Sequence, residues 1–284
     1  MTKTVGSDVY QGQVATFVTI NGEDALLGDL VPESNDATVL KETNFSIQFV
    51  GADGNQMKVA DMVNIQEMEN GDAIIAKYGT KTALFRYVPG TPSGKWYLEA
   101  DKSSRDRKYP MNAMKIKNGQ GYTVYAGNVL AAGAKLTYSG QVLDADLPFQ
   151  VGSDTYIGTG NIAPADMLLG DFLPASNDAT VLKETNFSIQ FVGADGNQMK
   201  VKDMANIQEM DNGEAIITKY GEKTALFRYV PGTTPHWYLE ADKSSRDRKF
   251  PMESMKIKAG QAFTAYAGNV LASGATLTLP NAIK

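Results

Sequence analysis

An all-β chain built from two tandem copies of one β-sandwich (or barrel-like) domain is the predicted fold, and three observations predict it. The first is a duplication. Ser34–Val59 (SNDATVLKETNFSIQFVGADGNQMKV) recurs unchanged at Ser176–Val201, and Trp96–Lys108 recurs unchanged at Trp237–Lys249. The second is alternation of period two, as where Phe45, Ile47 and Phe49 are separated by Ser46 and Gln48, the pattern of a strand with one buried face. The third is frequent punctuation by turn pairs such as Asn70-Gly71, Pro89-Gly90 and Asn118-Gly119. A repeat this long is a whole domain rather than a solenoid unit, so the copies are set at residues 1–142 and 143–284.

The elements follow in order along one copy. Val14–Ile20 predicts a strand, and Leu26–Leu30 a short 3-10 turn. Ser34-Asn35-Asp36 is placed to cap a helical turn over Ala37–Glu42. Asn44–Val50 is a strand that reverses through Gly51-Ala52-Asp53-Gly54-Asn55, whose Asp-Gly accepts positive φ, and Met57–Val59 returns as its partner. Further strands are predicted at Ala73–Tyr78, Thr82–Val88, Trp96–Ala100, Ala113–Ile116, Tyr122–Ala126 and Lys135–Tyr138, with Pro89 and Pro110 at strand ends or edges. The joint, Ser139–Gln150, is too short and apolar for a free linker, so the copies are expected to touch or to share an extended strand. The twelve methionines read as core filling.

Composition narrows the function. The 284 residues carry 27 Lys and Arg against 32 Asp and Glu, a net charge of -5, with 43% hydrophobic residues. That is a globular composition without the basic excess of a nucleic-acid binder, and no apolar run approaches the ~20 residues of a membrane span. Cysteine is absent and histidine occurs once, which removes thiolate nucleophiles, disulfides and Cys- or His-rich metal sites. His236 follows Thr233-Thr234-Pro235 and reads as a solvated loop residue. Phosphate-binding loops, dinucleotide fingerprints, HExxH and GxSxG are all missing. The N-terminus lacks the apolar core of a signal peptide. No cofactor and no metal is expected.

Two groups of residues are candidate sites. The polar stretch Glu99–Lys108 repeats at Glu240–Lys249. Glu99 and Asp101, with Glu240 and Asp242 in the second copy, lie two apart on a strand end and project from one face, near the separation of paired hydrolase carboxylates. Glu67 and Glu69 are a lesser pair. Asp101, Ser103 and Asp106, with Asp247 answering Asp106, suggest a Ca²⁺ loop but lack its Gly and distal Glu. We read the stretch as a solvated, mixed-charge hairpin loop. The second group is aromatic. Trp96, Tyr97, Tyr87 and Tyr109, answered by Trp237, Tyr238, Tyr229 and Phe250, offer a platform for sugar rings. Alternation puts Trp96 and Tyr97 on opposite faces, so at most one of them lies outside, and a core anchor is the better reading of the tryptophan. Asn44-Phe45-Ser46 and Asn186-Phe187-Ser188 match a glycosylation pattern by chance, and Asp53-Gly54-Asn55 is a turn.

The succession GDLVP (Gly28–Pro32), SIQFVGADG (Ser46–Gly54), KWYLEAD (Lys95–Asp101) and IKNGQGYTVYAG (Ile116–Gly127) resembles the β-rich repeat modules of uncharacterised bacterial secreted and surface proteins. That resemblance implies an extracellular or cell-surface location and brings no site residues; a Cys-free chain also fits the cytoplasm. The leading expectation is a non-enzymatic structural protein that self-assembles into a filament or lattice. Its partner is itself, through strand edges such as Gln13–Ile20 and Ala275–Leu279. The alternative is a carbohydrate-binding or adhesive tandem module with glycans as partners, where duplication supplies avidity. A carboxylate hydrolase comes last.

Overall fold

The computed structural model describes residues 2–15, 17–18, 23–33, 45–90, 94–101, 104–127, 134–137, 141–142, 145–175, 187–232, 234–242, 245–268 and 274–280, of which 2–4, 17–18, 101, 104–108, 141–142, 242 and 245–249 are described by backbone alone. The chain is mostly β. In the first half a six-stranded antiparallel sheet runs in the order Tyr10–Val14, Gly121–Ala126, Phe45–Gln48, Leu84–Val88, Lys95–Asp101, Ser104–Pro110. A three-stranded sheet sets Ala134–Thr137 between Thr2–Val5 and Val31–Glu33, and a two-stranded ribbon pairs Ala25–Leu26 with Lys115–Ile116. The second half repeats this plan. Its six strands are Thr155–Gly160, Ala262–Ala267, Phe187–Gln190, Leu226–Val230, His236–Asp242 and Ser245–Pro251, and Ala275–Leu279 lies between Leu147–Val151 and Leu173–Ala175.

Alternation sorts the side chains as a sandwich-like packing requires. Phe45, Ile47, Phe85, Trp96, Leu98 and Val124 point inward, where Val5 and Leu136 of the smaller sheet, Leu27 of the 3-10 turn and Met62, Met111 and Met114 meet them. Trp96 anchors this core. It is fully buried, its Nε1–H donates to the Leu30 carbonyl at 2.9 Å, and its ring packs against Phe45 and Tyr87 with centroids 6.0 and 5.3 Å away. Trp237 repeats the bond to Phe172 at 3.2 Å. Burial of Tyr87 and Tyr229 pushes both phenols above the ordinary tyrosine range.

Several predicted elements are corrected. Ala73–Tyr78 lies in a helix, Gly71–Tyr78, preceded by the short helix Val63–Gln66. Its apolar run is too short for alternation to decide between strand and helix; what decides is that Ile74 and Tyr78, four apart, both reach the core. Gly71 is required here, since a Cβ would sit 2.2 Å from the Ile65 carbonyl oxygen. Met57–Val59 forms no return strand: the turn closes with isolated bridges, and Val59–Asp61 is a 3-10 turn. The 3-10 turn predicted near Leu26–Leu30 forms at Leu27–Asp29. The strand predicted at Val14–Ile20 is replaced by two, Tyr10–Val14 and Phe17–Val18; residues 19–20 and the predicted turn at 37–42 lie outside the described residues. The polar stretch after Glu99 is not a loop. Lys95–Asp101 and Ser104–Pro110 form a long hairpin with register shifts. Ala275–Leu279 is a central strand with no free edge.

A buried amide pair ties the helices to the ribbon. Asn64 Nδ2 donates to the Lys115 carbonyl and to Gln120 Oε1, both at 2.8 Å, and Gln120 Nε2 donates back to Asn64 Oδ1 at 3.1 Å. Asn206 and Gln261 repeat it. Replacing Trp96 by Phe leaves the Leu30 carbonyl unpaired and should lower unfolding free energy by about 1–3 kcal/mol, whereas Trp96→Ala should cost about 3–5 kcal/mol. Urea melts followed by fluorescence of the remaining Trp237 measure both.

Candidate functional site

The two halves meet through their six-stranded sheets about a pseudo-two-fold axis. An edge strand leaves its outward N–H groups unpaired, and here the other half supplies acceptors. Tyr10 N–H donates to the Ala194 carbonyl at 2.9 Å, and Tyr156 N–H, its counterpart, donates to the Ala52 carbonyl at 2.9 Å. Ala52 and Ala194 belong to the turns that the Asp-Gly pairs build. Gly54 has φ +81°, and Asn55 N–H donates to Asp53 Oδ1 at 3.0 Å. The amide of Asn55, like that of Asn197, holds the neighbouring Asp53 or Asp195 carboxyl below the usual range. Each turn receives a tyrosine ring from the other half: a Cβ on Gly54 would lie 3.2 Å from the Tyr156 ring, and one on Gly196 3.1 Å from the Tyr10 ring. Those rings are set by stacking on Tyr125 and Tyr266, with centroids 4.6 and 4.5 Å apart.

The symmetry is tighter on one side of the axis. There Thr159 Oγ1 donates to the Gly119 carbonyl at 2.8 Å, and Gly158 lies so close that a Cβ would meet the Gly121 carbonyl oxygen at 2.8 Å. On the other side Gln13 replaces Thr159 and Ala262 replaces Gly121. Gln13 is 2% exposed and both polar atoms of its amide lack a partner.

Between the two turns the halves leave a cleft of about 360 Å³, within the range of small-molecule sites. Gln48, Phe49, Val50, Gly54, Asn55, Gln56 and Thr123 line one side, and their counterparts Gln190, Phe191, Val192, Gly196, Asn197, Gln198 and Thr264 line the other. Gln48 stands directly across the ladder from Thr123, as Gln190 does from Thr264. Gln56 and Gln198 are fixed by bonds to the Ala83 and Ala225 carbonyls, each at 2.7 Å. The side chains of Gln48, Gln190, Thr123 and Thr264 make no hydrogen bond among the described residues, so their amides and hydroxyls are available to a ligand.

All seven pairs around the cleft are identical, as are most buried core pairs, such as Phe45 and Phe187, Ile47 and Ile189, and Trp96 and Trp237; Leu30 against Phe172, Tyr122 against Phe263 and Val124 against Ala265 are exceptions.

The residues singled out from the sequence lie elsewhere. Trp96 and Trp237 present no free ring face, being at most 1% exposed. Tyr238 is fully buried and Tyr97 half-buried, each across the ladder from an arginine. Glu99 and Glu240 are buried and held by Arg86 Nε at 3.1 Å and Arg228 Nε at 2.9 Å, ion pairs between adjacent strands rather than a solvated loop. Asp101, Asp106, Asp242 and Asp247 lie on strands, but their side chains, and Ser103 altogether, are outside the described residues. Glu67 is paired with Lys117 at 2.6 Å, and Glu69 is exposed. His236 opens a strand, its Nδ1 3.3 Å from the Thr234 carbonyl oxygen. Among the described residues no cluster of three His, Cys, Asp or Glu side chains could hold a metal, and no helix is long and apolar enough to cross a membrane. Sequence reasoning missed Gln48, Asn55 and Thr123. The available signal was that Gln48 and Asn55 fall in the longest unchanged stretch of the duplication.

Replacing Gln13 by Thr should let a hydroxyl reach the Gly260 carbonyl, as Thr159 reaches that of Gly119, and raise stability by about 1–3 kcal/mol in chemical denaturation. Gly158→Val should wedge the halves apart, seen as faster hydrogen exchange at the Tyr10 and Tyr156 amides with Trp96 and Trp237 fluorescence unchanged. Comparison with protein-family models, with curated proteins and with solved structures finds no match to this chain.

Proposed function

We propose that this chain is a non-enzymatic binding protein whose two repeats close on one cleft to hold a neutral, hydroxyl-rich ligand, a carbohydrate. The observation that carries the reading is the lining itself: Gln48, Thr123, Gln190 and Thr264 face one cleft with side chains that make no hydrogen bond among the described residues. The chemistry agrees. Each amide offers a donor and an acceptor, and each hydroxyl can act as either, which matches sugar hydroxyls. Among the described residues none that lines the cleft carries charge, so none of them favours an anion or a cation and none is a carboxylate or histidine suited to proton transfer. Val50 and Val192, half-buried, add apolar surface suited to the C–H faces of a sugar. The proposal includes an extracellular or surface location, in keeping with the resemblance noted above.

Self-assembly through strand edges has thinner support. The contact between the halves is two-fold and closes on itself instead of propagating. Five outer strands of the sheets carry proline: Pro32, Pro110, Pro148, Pro174 and Pro251. Proline on an edge strand discourages pairing with another chain.

Isothermal titration of the full chain with a panel of neutral oligo- and polysaccharides tests the proposal. Binding is expected, and the double variant Gln48→Ala, Gln190→Ala should weaken it by about 10-fold or more, or about 1.4 kcal/mol, with unchanged circular dichroism. A silent panel, or a double variant that binds like the parent, would sink it.

A further inference from the structure

Carbohydrate binding alone leaves two arrangements open: one ligand on each repeat, or one ligand shared between them. We infer that the cleft takes a single ligand per chain, seated on the pseudo-two-fold axis, and that this ligand is itself two-fold, a symmetric polyol or a disaccharide of two like sugars joined through both anomeric carbons. The inference rests on the carbohydrate reading above and goes beyond it in stoichiometry and symmetry.

The geometry carries it in three steps. The free donors and acceptors of the cleft come as two like pairs, Gln48 with Thr123 and Gln190 with Thr264, one from each half. Those pairs line one cavity instead of two, because the turn of each half is held against the edge strand of the other by the Tyr10–Ala194 and Tyr156–Ala52 bonds. A ligand on the axis therefore meets the same groups in the same relative placement at both of its ends. When its own ends are alike, both sets of hydrogen bonds form with one geometry. When they differ, one set is left poorly paired, and an unpaired polar group in a desolvated site is costly. The cleft, at about 360 Å³, is small for a polymer chain and suits a compact molecule.

The test uses the full chain and two disaccharides of identical composition, α,α-trehalose, which is two-fold, and maltose, which is not. Titration calorimetry is expected to give one α,α-trehalose per chain, bound about 10-fold or more tighter than maltose. Gln48→Ala and Gln190→Ala, made singly, should weaken trehalose by the same factor within about two-fold, since each removes an equivalent half of one site. If either single variant fails to fold, Thr123→Val and Thr264→Val give the same comparison. Two ligands per chain, maltose binding as tightly as trehalose, or a loss confined to one half would overturn the inference. Binding of maltose or a longer glucan with trehalose inert would end the symmetry argument and leave the carbohydrate reading standing. If no sugar binds, both fall.

Discussion

The close approach of two sheets, each closing the other's open edge, is the constraint on which the rest of this structure depends. Tyr10–Val14 and Thr155–Gly160 are strands paired on one side only, and their outward N–H groups would otherwise face solvent or recruit another chain. Each finds acceptors in the opposite half. Backbones come this near where side chains are absent or small, Gly158 against Gly121 and Gly12 against Ala262, while Gly54 and Gly196 supply the positive φ of the turns that receive the tyrosine rings. The cleft is the space that remains where the two turns part. Its symmetry is a consequence of the contact, not a separate design.

That contact also reconciles the duplication with a single molecule. Two like surfaces in tandem can join head to tail without limit or close as a pair, and sequence identity does not distinguish the cases. Here they close as a pair. The departures from symmetry are local: Gln13 for Thr159 and Ala262 for Gly121 loosen one side of the interface and leave an amide buried without a partner. Such a group opposes the packed state, which the Thr159 hydroxyl on the Gly119 carbonyl holds on one side and the Val14 N–H on the Gly260 carbonyl, at 3.2 Å, holds on the other.

Within each half, charge is used structurally. Arg86 and Glu99, and Arg228 and Glu240, pair across adjacent strands on the face turned away from the core, with both carboxylates almost fully buried. Removing one partner from such a pair leaves an uncompensated charge, so these acids are tied to the ladder rather than offered to a substrate. The polar groups that line the cleft are neutral ones at the other end of the same face, Gln48 and Thr123 with their counterparts.

The sequence by itself determined the all-β class, the repeat and most strands of the large sheet, because alternation and turn pairs such as Asp53-Gly54 act over a few residues. It also marked Trp96 as a core anchor, since a lone large aromatic on an alternating strand has one inward direction. Tertiary structure alone decided the rest. Gly71–Tyr78 became a helix because packing, not its short apolar run, chose which residues face inward. Ser104–Pro110 became a strand because the neighbouring Lys95–Asp101 offered a ladder to a polar segment with no apolar period of its own. The cleft was invisible beforehand because Gln48 and Thr123, seventy-odd residues apart, and their partners in the other copy are brought together only by strand order and by docking of the halves. Local pattern reports which face a side chain takes; only long-range pairing reports what that face meets.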